Sequence, residues 1–386
     1  MNNPIEALAQ QAVVRTALAQ IGEDLPAIVE LAIAVQQIPA PTFAEAVRAA
    51  FVADRFAALG LQDVQQDALH NVFGRYPGRG GGAPIIVSAH SDTVFPAGTD
   101  LTVRRSGTLV HGPGIADNSL GVAGLLYLVG LLRQHGWQPA RDIWFVVNTG
   151  EEGLGDLRGM RAVADRFGPA GAYIVVEGGL FGRICHQAIG VQRLRIGVET
   201  PGGHSWGAFG NPSAIHVLGQ IIADIAGLKV PATPKTTFNV GVVEGGTSVN
   251  TIAHEAHLLL DLRSEAPPAL GQLVAQVEKL LARYGREPQV QVTAEVIGNR
   301  PAGAIPRETP LVSWAVAALQ QVGAASQLEF TTGSTDANIP LSRGWPAVCV
   351  GLTESGNAHR PDEYMDVTRI PAGLGQLLLL TLAAAG

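Results

Sequence analysis

Hydrophobic positions along the chain follow two periods, and the change from one to the other divides it. Over residues 4–59 apolar side chains recur at helical spacing, through Ile28, Leu31, Val35 and Ile38 and again over 44–59, with Pro39-Ala40-Pro41 breaking the run in two. Past Gly60, short apolar runs bounded by Gly and Pro take over at 72–76, 85–89, 143–148 and 173–176, and these are expected to be strands. The run at 85–89 (Ile-Ile-Val-Ser-Ala) is almost continuously apolar, the pattern of a strand covered on both faces. Helical patterns at 119–134 and 157–167 lie between the strands, so the elements alternate as in an α/β sheet.

The texture then changes. Residues 192–200, 237–243, 254–263 and 289–296 alternate polar and apolar, as half-exposed strands do, with helical patterns at 211–227 and 268–284 between them. That order, β-α-β-β-α-β, is ferredoxin-like. After Pro301 the first texture returns, with a helix at 309–322, a strand at 347–352 and a helix at 370–384. The expected architecture is an α/β domain with a central, mostly parallel sheet and helices on both faces, built from 1–192 and 301–386. A ferredoxin-like α+β domain at 193–300 is inserted into it.

Composition narrows the function classes. Of 386 residues 47% are hydrophobic and 15% charged, which belongs to a folded chain and not a disordered one. Lys plus Arg number 26 against 33 Asp plus Glu, a net charge of −7, and lysine stands only at 229, 235 and 279. Without a basic run, no nucleic-acid partner is expected. The 47 glycines and 24 prolines point to tight turns and ligand-facing loops. Cys185 and Cys349 have no CxxC spacing, and so few thiols suit a reducing compartment. Residues 1–20 lack a cationic segment followed by an apolar one, and the most apolar stretch, 377–385, is shorter than the ~20 residues a bilayer span needs. A cytoplasmic chain with no membrane partner is expected.

The strands also end in chemistry. His90 and Asp92 follow the run at 85–89, Glu151 and Glu152 follow 143–148, Glu177 ends 173–176, and His359 lies beyond 347–352. Asp117 directly precedes a helix. Ligands of open α/β sheets bind outside the carboxyl ends of the strands, so five segments deliver carboxylates or imidazoles to one edge. Imidazole and carboxylate suit Zn²⁺. So many converging carboxylates repel one another unless cations neutralise them, and two metals sharing one carboxylate relieve that repulsion.

These motifs resemble the dinuclear zinc peptidase family that contains carboxypeptidase G, tripeptidase T, aminoacylase and succinyl-diaminopimelate desuccinylase. The resemblance rests on Ser88-Ala89-His90-Ser91-Asp92-Thr93-Val94, Gly112-Pro113-Gly114-Ile115-Ala116-Asp117-Asn118, Asn148-Thr149-Gly150-Glu151-Glu152-Gly153 and Val176-Glu177-Gly178-Gly179. It extends through Gly202-Gly203-His204-Ser205, the segment Gly246-Thr247-Ser248-Val249-Asn250-Thr251-Ile252, Asp261-Leu262-Arg263, Gly333-Ser334-Thr335-Asp336-Ala337-Asn338 and His359-Arg360-Pro361-Asp362-Glu363.

The resemblance implies two Zn²⁺ per subunit, with Co²⁺ or Mn²⁺ as substitutes. His90 and Glu177 would hold one ion, Glu152 and His359 the other, with Asp117 bridging. Asp92 would accept the second ring N–H of His90, Glu151 would be the general base, and His204 would stabilise the oxyanion. Asn250 and Arg263 are candidates for a substrate carboxylate, which the planar guanidinium fork of Arg matches, and Thr335 and Asn338 for further substrate contacts. The implied reaction is attack of a metal-bridging hydroxide on an amide of a small peptide or N-acyl amino acid, in a homodimer formed through the inserted lid domain. A tripeptidase-type aminopeptidase and a non-catalytic metal- or ligand-binding relative are the alternatives.

Overall fold

A computed structural model describes residues 3–386, which divide into two compact units: one runs to Ala188 and resumes at Gly303, the other is Ile189–Ala302. The larger unit is built on a nine-stranded sheet in the order Gln62–Gln66, Val72–Tyr76, Ile143–Asn148, Ile85–His90, Ala172–Glu177, Ala347–Gly351, Arg183–Ala188 and Gly303–Ala304, with Glu329–Gly333 pairing beside Arg183–Ala188. Four central strands, Ile143–Asn148, Ile85–His90, Ala172–Glu177 and Ala347–Gly351, are mutually parallel, and the flanking strands are mostly antiparallel. This is the expected mixed α/β fold with a mostly parallel centre.

The parallel arrangement explains the sequence texture. Every residue of Ile85–His90 and Ala172–Glu177 is buried, because helices pack on the sheet and leave neither strand face to water. It also explains where the chemistry falls: parallel strands end on one edge, so the segments following His90, Asn148, Glu177 and Gly351 all leave from the same side. The first helical stretch is three helices, Pro4–Gln10, Ala12–Glu23 and Leu25–Gln36, followed by Ala46–Ala58. Pro4 and Pro26 lie in the first turns of two of them, where a missing N–H costs nothing. Two helical segments, Ile115–Gln134 and Val367–Ala385, are long and apolar enough to cross a bilayer, against the shorter 377–385 run read from sequence. Their most apolar windows are 83% and 67% buried within the fold.

The periodicity does not predict a second sheet in this unit. Ser355–Gly356, Tyr364–Asp366, Leu109–His111 and Arg104–Ser106 form a four-stranded antiparallel sheet of two- and three-residue strands. Strands so short carry no readable period. Cys185 and Cys349 are buried free thiols, and they stand directly opposite each other on antiparallel neighbours.

The smaller unit begins at Ile189, so the strand Gly190–Glu199 lies wholly within it. Its antiparallel sheet runs Thr236–Gly245, Glu255–Ser264, Gly190–Glu199, Gln291–Arg300, with helices Ala214–Ala226 and Pro267–Tyr284 completing a β-α-β-β-α-β order. Strict alternation along Glu255–Ser264 buries Leu258, Leu260 and Leu262 against Val217, Ile221, Leu273 and Val277 of the helices. The intervening His257, Asp261 and Arg263 are left half-exposed.

Candidate metal centre

The small antiparallel sheet and the central sheet together assemble five side chains. His90 is the last residue of its strand and Glu177 the last of the next. His359 sits in the connection between Ser355–Gly356 and Tyr364–Asp366, and Leu109–His111 of the same small sheet leads into the loop that carries Asp117.

Asp117 is the centre of the arrangement. Its Oδ1 is 3.2 Å from His90 Nε2 and its Oδ2 is 3.2 Å from His359 Nε2. His90 Nε2 also lies 3.5 Å from Glu177 Oε2, and His359 Nε2 lies 3.3 Å from Glu152 Oε1. One donor atom from each of His90, Asp117 and Glu152 falls within 4.8 Å of the others. Two donor sets result, His90/Glu177 and His359/Glu152, each completed by a different oxygen of one carboxylate. Donor atoms around a tetrahedral ion with bonds of about 2.0–2.1 Å stand about 3.3–3.4 Å apart, so each set fits a small divalent cation.

The electrostatics make the same demand. Asp117 is held well below the usual carboxylate range: burial pushes it up, but His359 and His90 outweigh that. Burial alone would lower the His90 pKa, yet Glu177, Asp117 and Asp92 raise it well above the ordinary imidazole value. His359 is pushed up to about 10 by Asp117 and Glu152. Glu152 and Glu177 are each pushed up to about 7, first by burial and then, against the opposing pull of their histidines, by Asp117 and Glu151. With protons as the only cations, both imidazoles hold on to protons and both glutamates resist losing theirs. Divalent ions would answer the same excess of negative charge.

Two buried carboxylates hold the frame. Asp92 accepts the backbone N–H of Glu151 on Oδ1 and that of Glu152 on Oδ2, each at 3.0 Å, while the Thr42 hydroxyl donates to Oδ2 at 2.9 Å. His90 Nδ1 lies 3.1 Å from the Asp92 carbonyl oxygen and 3.6 Å from its Oδ1. The nearest acceptor for that ring nitrogen is therefore backbone. The Asp92 side chain fixes the peptide that places Glu151 and Glu152, a task the sequence does not suggest. Glu363 does the same for Asp117. Its Oε1 accepts from Ala116 N–H at 2.8 Å and Asp117 N–H at 2.9 Å, and its Oε2 from Gly114 N–H at 3.2 Å. Its place four residues after His359 is the one available signal. Asn118 completes the frame by donating to the Val176 carbonyl and accepting from Gly178 N–H, each at 2.8 Å, which brackets Glu177.

Glu151 itself is buried, and its charge helps raise Glu152, Glu177 and the buried Asp336. Asp336 accepts from Asn148 Nδ2 at 2.7 Å. Thr335 and Asn338 hold their own loop together: Asn338 is buried and its Oδ1 accepts Thr335 N–H at 2.9 Å, so that N–H is already used within the loop.

His204, Asn250 and Arg263 belong to the smaller unit. His204 is exposed, and its Nδ1 accepts the backbone N–H of Trp206 at 3.2 Å and of Gly207 at 3.3 Å. An Nδ1 that accepts leaves the proton on Nε2, so the outer nitrogen is a donor. Asn250 is exposed, and its backbone carbonyl accepts Ser205 N–H at 3.0 Å, which joins the His204 and Asn250 loops. Arg263 is engaged by Asp261, with Nε 2.6 Å from Oδ1 and NH2 3.3 Å from Oδ2, and Asp261 is shared with Arg193 at 3.1 Å.

Comparison with known proteins gives three kinds of match. The family model described as peptidase family M20/M25/M40 matches residues 86–382. Among curated proteins, the chain is similar to carboxypeptidase G2 of Pseudomonas sp. (strain RS-16), 26% identical over 314 residues, covering 79% of this chain and 74% of that protein. It is also similar to succinyl-diaminopimelate desuccinylase of Bordetella bronchiseptica, 25% identical over 344 residues, covering 83% and 88%. Among solved structures, a tripeptidase from Staphylococcus aureus superposes with a TM-score of 0.78 at 20% identity, over 93% of this chain and 98% of that one. A dipeptidase from Saccharomyces cerevisiae gives 0.76 at 14% identity, over 96% and 98%.

Proposed function

Because the chain belongs to peptidase family M20/M25/M40, whose relatives make it a hydrolase of amide bonds, we propose that it cleaves one amide of a small peptide or N-acyl amino acid at a two-cation centre. One observation carries this reading: Asp117 turns one oxygen to His90 and the other to His359, and each of those histidines faces its own glutamate. His90, Glu177 and Asp117 would hold one ion, and His359, Glu152 and Asp117 the other, with Zn²⁺ the best match to the donor set. When bound, such ions polarise the scissile carbonyl and bring the pKa of a water down to about 7.

The chain's own residues supply the proton transfers and the positioning. Glu151, next to a ligand but not assigned as one, takes the proton of the attacking water and returns it to the leaving amine. Asp92 keeps Glu151 in place through its backbone N–H. His204 offers its Nε2–H to the oxyanion, and Arg263 and Asn250 receive the substrate carboxylate, with Asp261 orienting the guanidinium. A homodimer formed through the smaller unit belongs to the same reading.

The test is a panel of dipeptides, tripeptides and N-acyl amino acids with zinc or cobalt, run on the unaltered chain and on Glu151→Ala. The unaltered chain is expected to hydrolyse part of the panel, and Glu151→Ala to lose about 10²–10⁴ in kcat while retaining its metal. No hydrolysis by the unaltered chain, or full activity in Glu151→Ala, would overturn the proposal.

A further inference from the structure

Among the described residues of the larger unit, the large hydrophobic side chains left exposed are Phe43, Val47, Val94 and Leu154. Three of the four flank contacts to a single carboxylate. Asp92 Oδ2 accepts from the Thr42 hydroxyl at 2.9 Å and from Glu152 N–H at 3.0 Å. Phe43 is one residue beyond the first contact, Leu154 two beyond the second, and Val94 two beyond Asp92 itself. The strand-like bridge between Pro41 and Thr93 lays the first of these segments along the third. Three separate stretches of chain thus meet at one carboxylate beside Glu151 and Glu152, and each carries an exposed apolar side chain within two residues of that meeting point. Isolated exposed hydrophobics need no explanation, but a group gathered at a reaction centre marks a binding surface.

Phe43 is also built into place. Its φ of 76° is in the left-handed region, which non-glycine residues rarely adopt. The fully buried Glu45 accepts Phe43 N–H at 2.9 Å and pairs with Arg158 at 2.9 Å, and the Arg158 guanidinium lies 4.6 Å from the phenyl centroid. The ring is fixed from beneath and still 58% exposed. The cation against it is already neutralised by Glu45. An anionic group laid here would meet apolar atoms and a cluster of carboxylates that repel it, whereas an uncharged apolar group would lose water on both sides.

Resting on the amidohydrolase reading above, we propose that Phe43, Val94 and Leu154 form the platform for the acyl side of the substrate, and that this acyl group is apolar and uncharged. The site then selects hydrophobic N-acyl amino acids over acetylated and succinylated ones.

The experiment compares N-acetyl-, N-succinyl-, N-hexanoyl- and N-benzoyl- derivatives of the same amino acids on the zinc-loaded full chain and on Phe43→Ser and Leu154→Ser. A ratio of two kcat/KM values from one preparation does not depend on the fraction folded, so a poorly folding variant still reports. The expected result is a preference of about tenfold or more for hexanoyl or benzoyl over acetyl and succinyl, falling toward one in both variants and restored in Phe43→Leu. Preference for succinyl, or an unchanged ratio in both variants, would overturn the proposal, as would a loss of self-association in Phe43→Ser with the ratio intact. If no derivative is hydrolysed, the amidohydrolase reading falls. The platform is then judged by calorimetric binding of hexanoate: weaker binding to Phe43→Ser supports it, and equal binding rejects it.

Discussion

The two units treat their chemistry-bearing residues in opposite ways. In the larger unit His90, Asp92, Glu151, Glu152, Glu177 and Glu363 are buried and Asp117 is half-buried, with His359 alone exposed among the residues of the metal centre. Their partners come from distant parts of the chain: Glu363 bonds backbone groups as far as 249 residues away. In the smaller unit His204 and Asn250 are exposed and Arg263 is half-exposed, and their bonds are to near neighbours or to the adjoining loop. A buried set braced by backbone N–H groups is fixed before anything binds. An exposed set gains its desolvated strength only when substrate covers it. Under the proposed function, the larger unit would be a prebuilt ion-holding centre and the smaller one would supply groups that act on bound substrate.

Substitutions sharpen that contrast. The largest effect among them is expected at the exposed surface: His204→Ala should lower kcat by about 10²–10³, as loss of an oxyanion donor does, while leaving ion content unchanged. Steady-state kinetics beside metal analysis would check this, and ion loss in that variant would erase the division between the units. A smaller effect is expected in the frame. Glu363→Gln keeps the shape but weakens the acceptance of three backbone N–H groups around Asp117, and should reduce ion affinity or activity about 10–100-fold. A competition titration with a chelator reads that loss, and unchanged affinity would mean the loop is held otherwise.

The mildest perturbation is pH. Glu152 and Glu177 are raised to about 7 and His359 to about 10, so protons occupy the oxygens and ring nitrogen an ion needs and leave the glutamates first as pH rises. Ion affinity should thus rise from pH 6 to pH 8, by up to about tenfold per pH unit for each ligand that must lose a proton. A cobalt titration at the two pH values would measure it, and a flat profile would show that no proton on these glutamates is displaced by the ion.

Much of this is legible in the order of residues. The four parallel strands are readable because burial on both faces forces a continuous apolar run, and His90, Glu152, Glu177 and His359 are readable because each follows such a run. The family is readable from the motifs around them. What stays hidden depends on partners far along the chain. Leu109–His111 and Tyr364–Asp366 are too short to show a period, yet they position Asp117 and His359. Arg183–Ala188 mixes charged and apolar residues in a strand whose burial comes from its neighbours. The motif makes Asp92 a partner of the His90 ring, whose Nδ1 lies 3.6 Å from Asp92 Oδ1, but it does not show that the same carboxylate also accepts the backbone N–H groups of Glu151 and Glu152. The Thr335–Asn338 loop is closed by Thr335 N–H donating to Asn338 Oδ1, a closure that the motif alone does not show.

Everything proposed for the larger unit depends on Asp117 being shared by two ion sites. Calorimetric titration of the purified chain with Zn²⁺, alongside Asp117→Asn, puts that sharing to the test. Two equivalents are expected to bind per chain, with both weakened together in Asp117→Asn because both donor sets lose the negative charge of the shared carboxylate and one of them loses its oxygen. A single equivalent, or two equivalents of which only one responds to the substitution, would contradict the sharing.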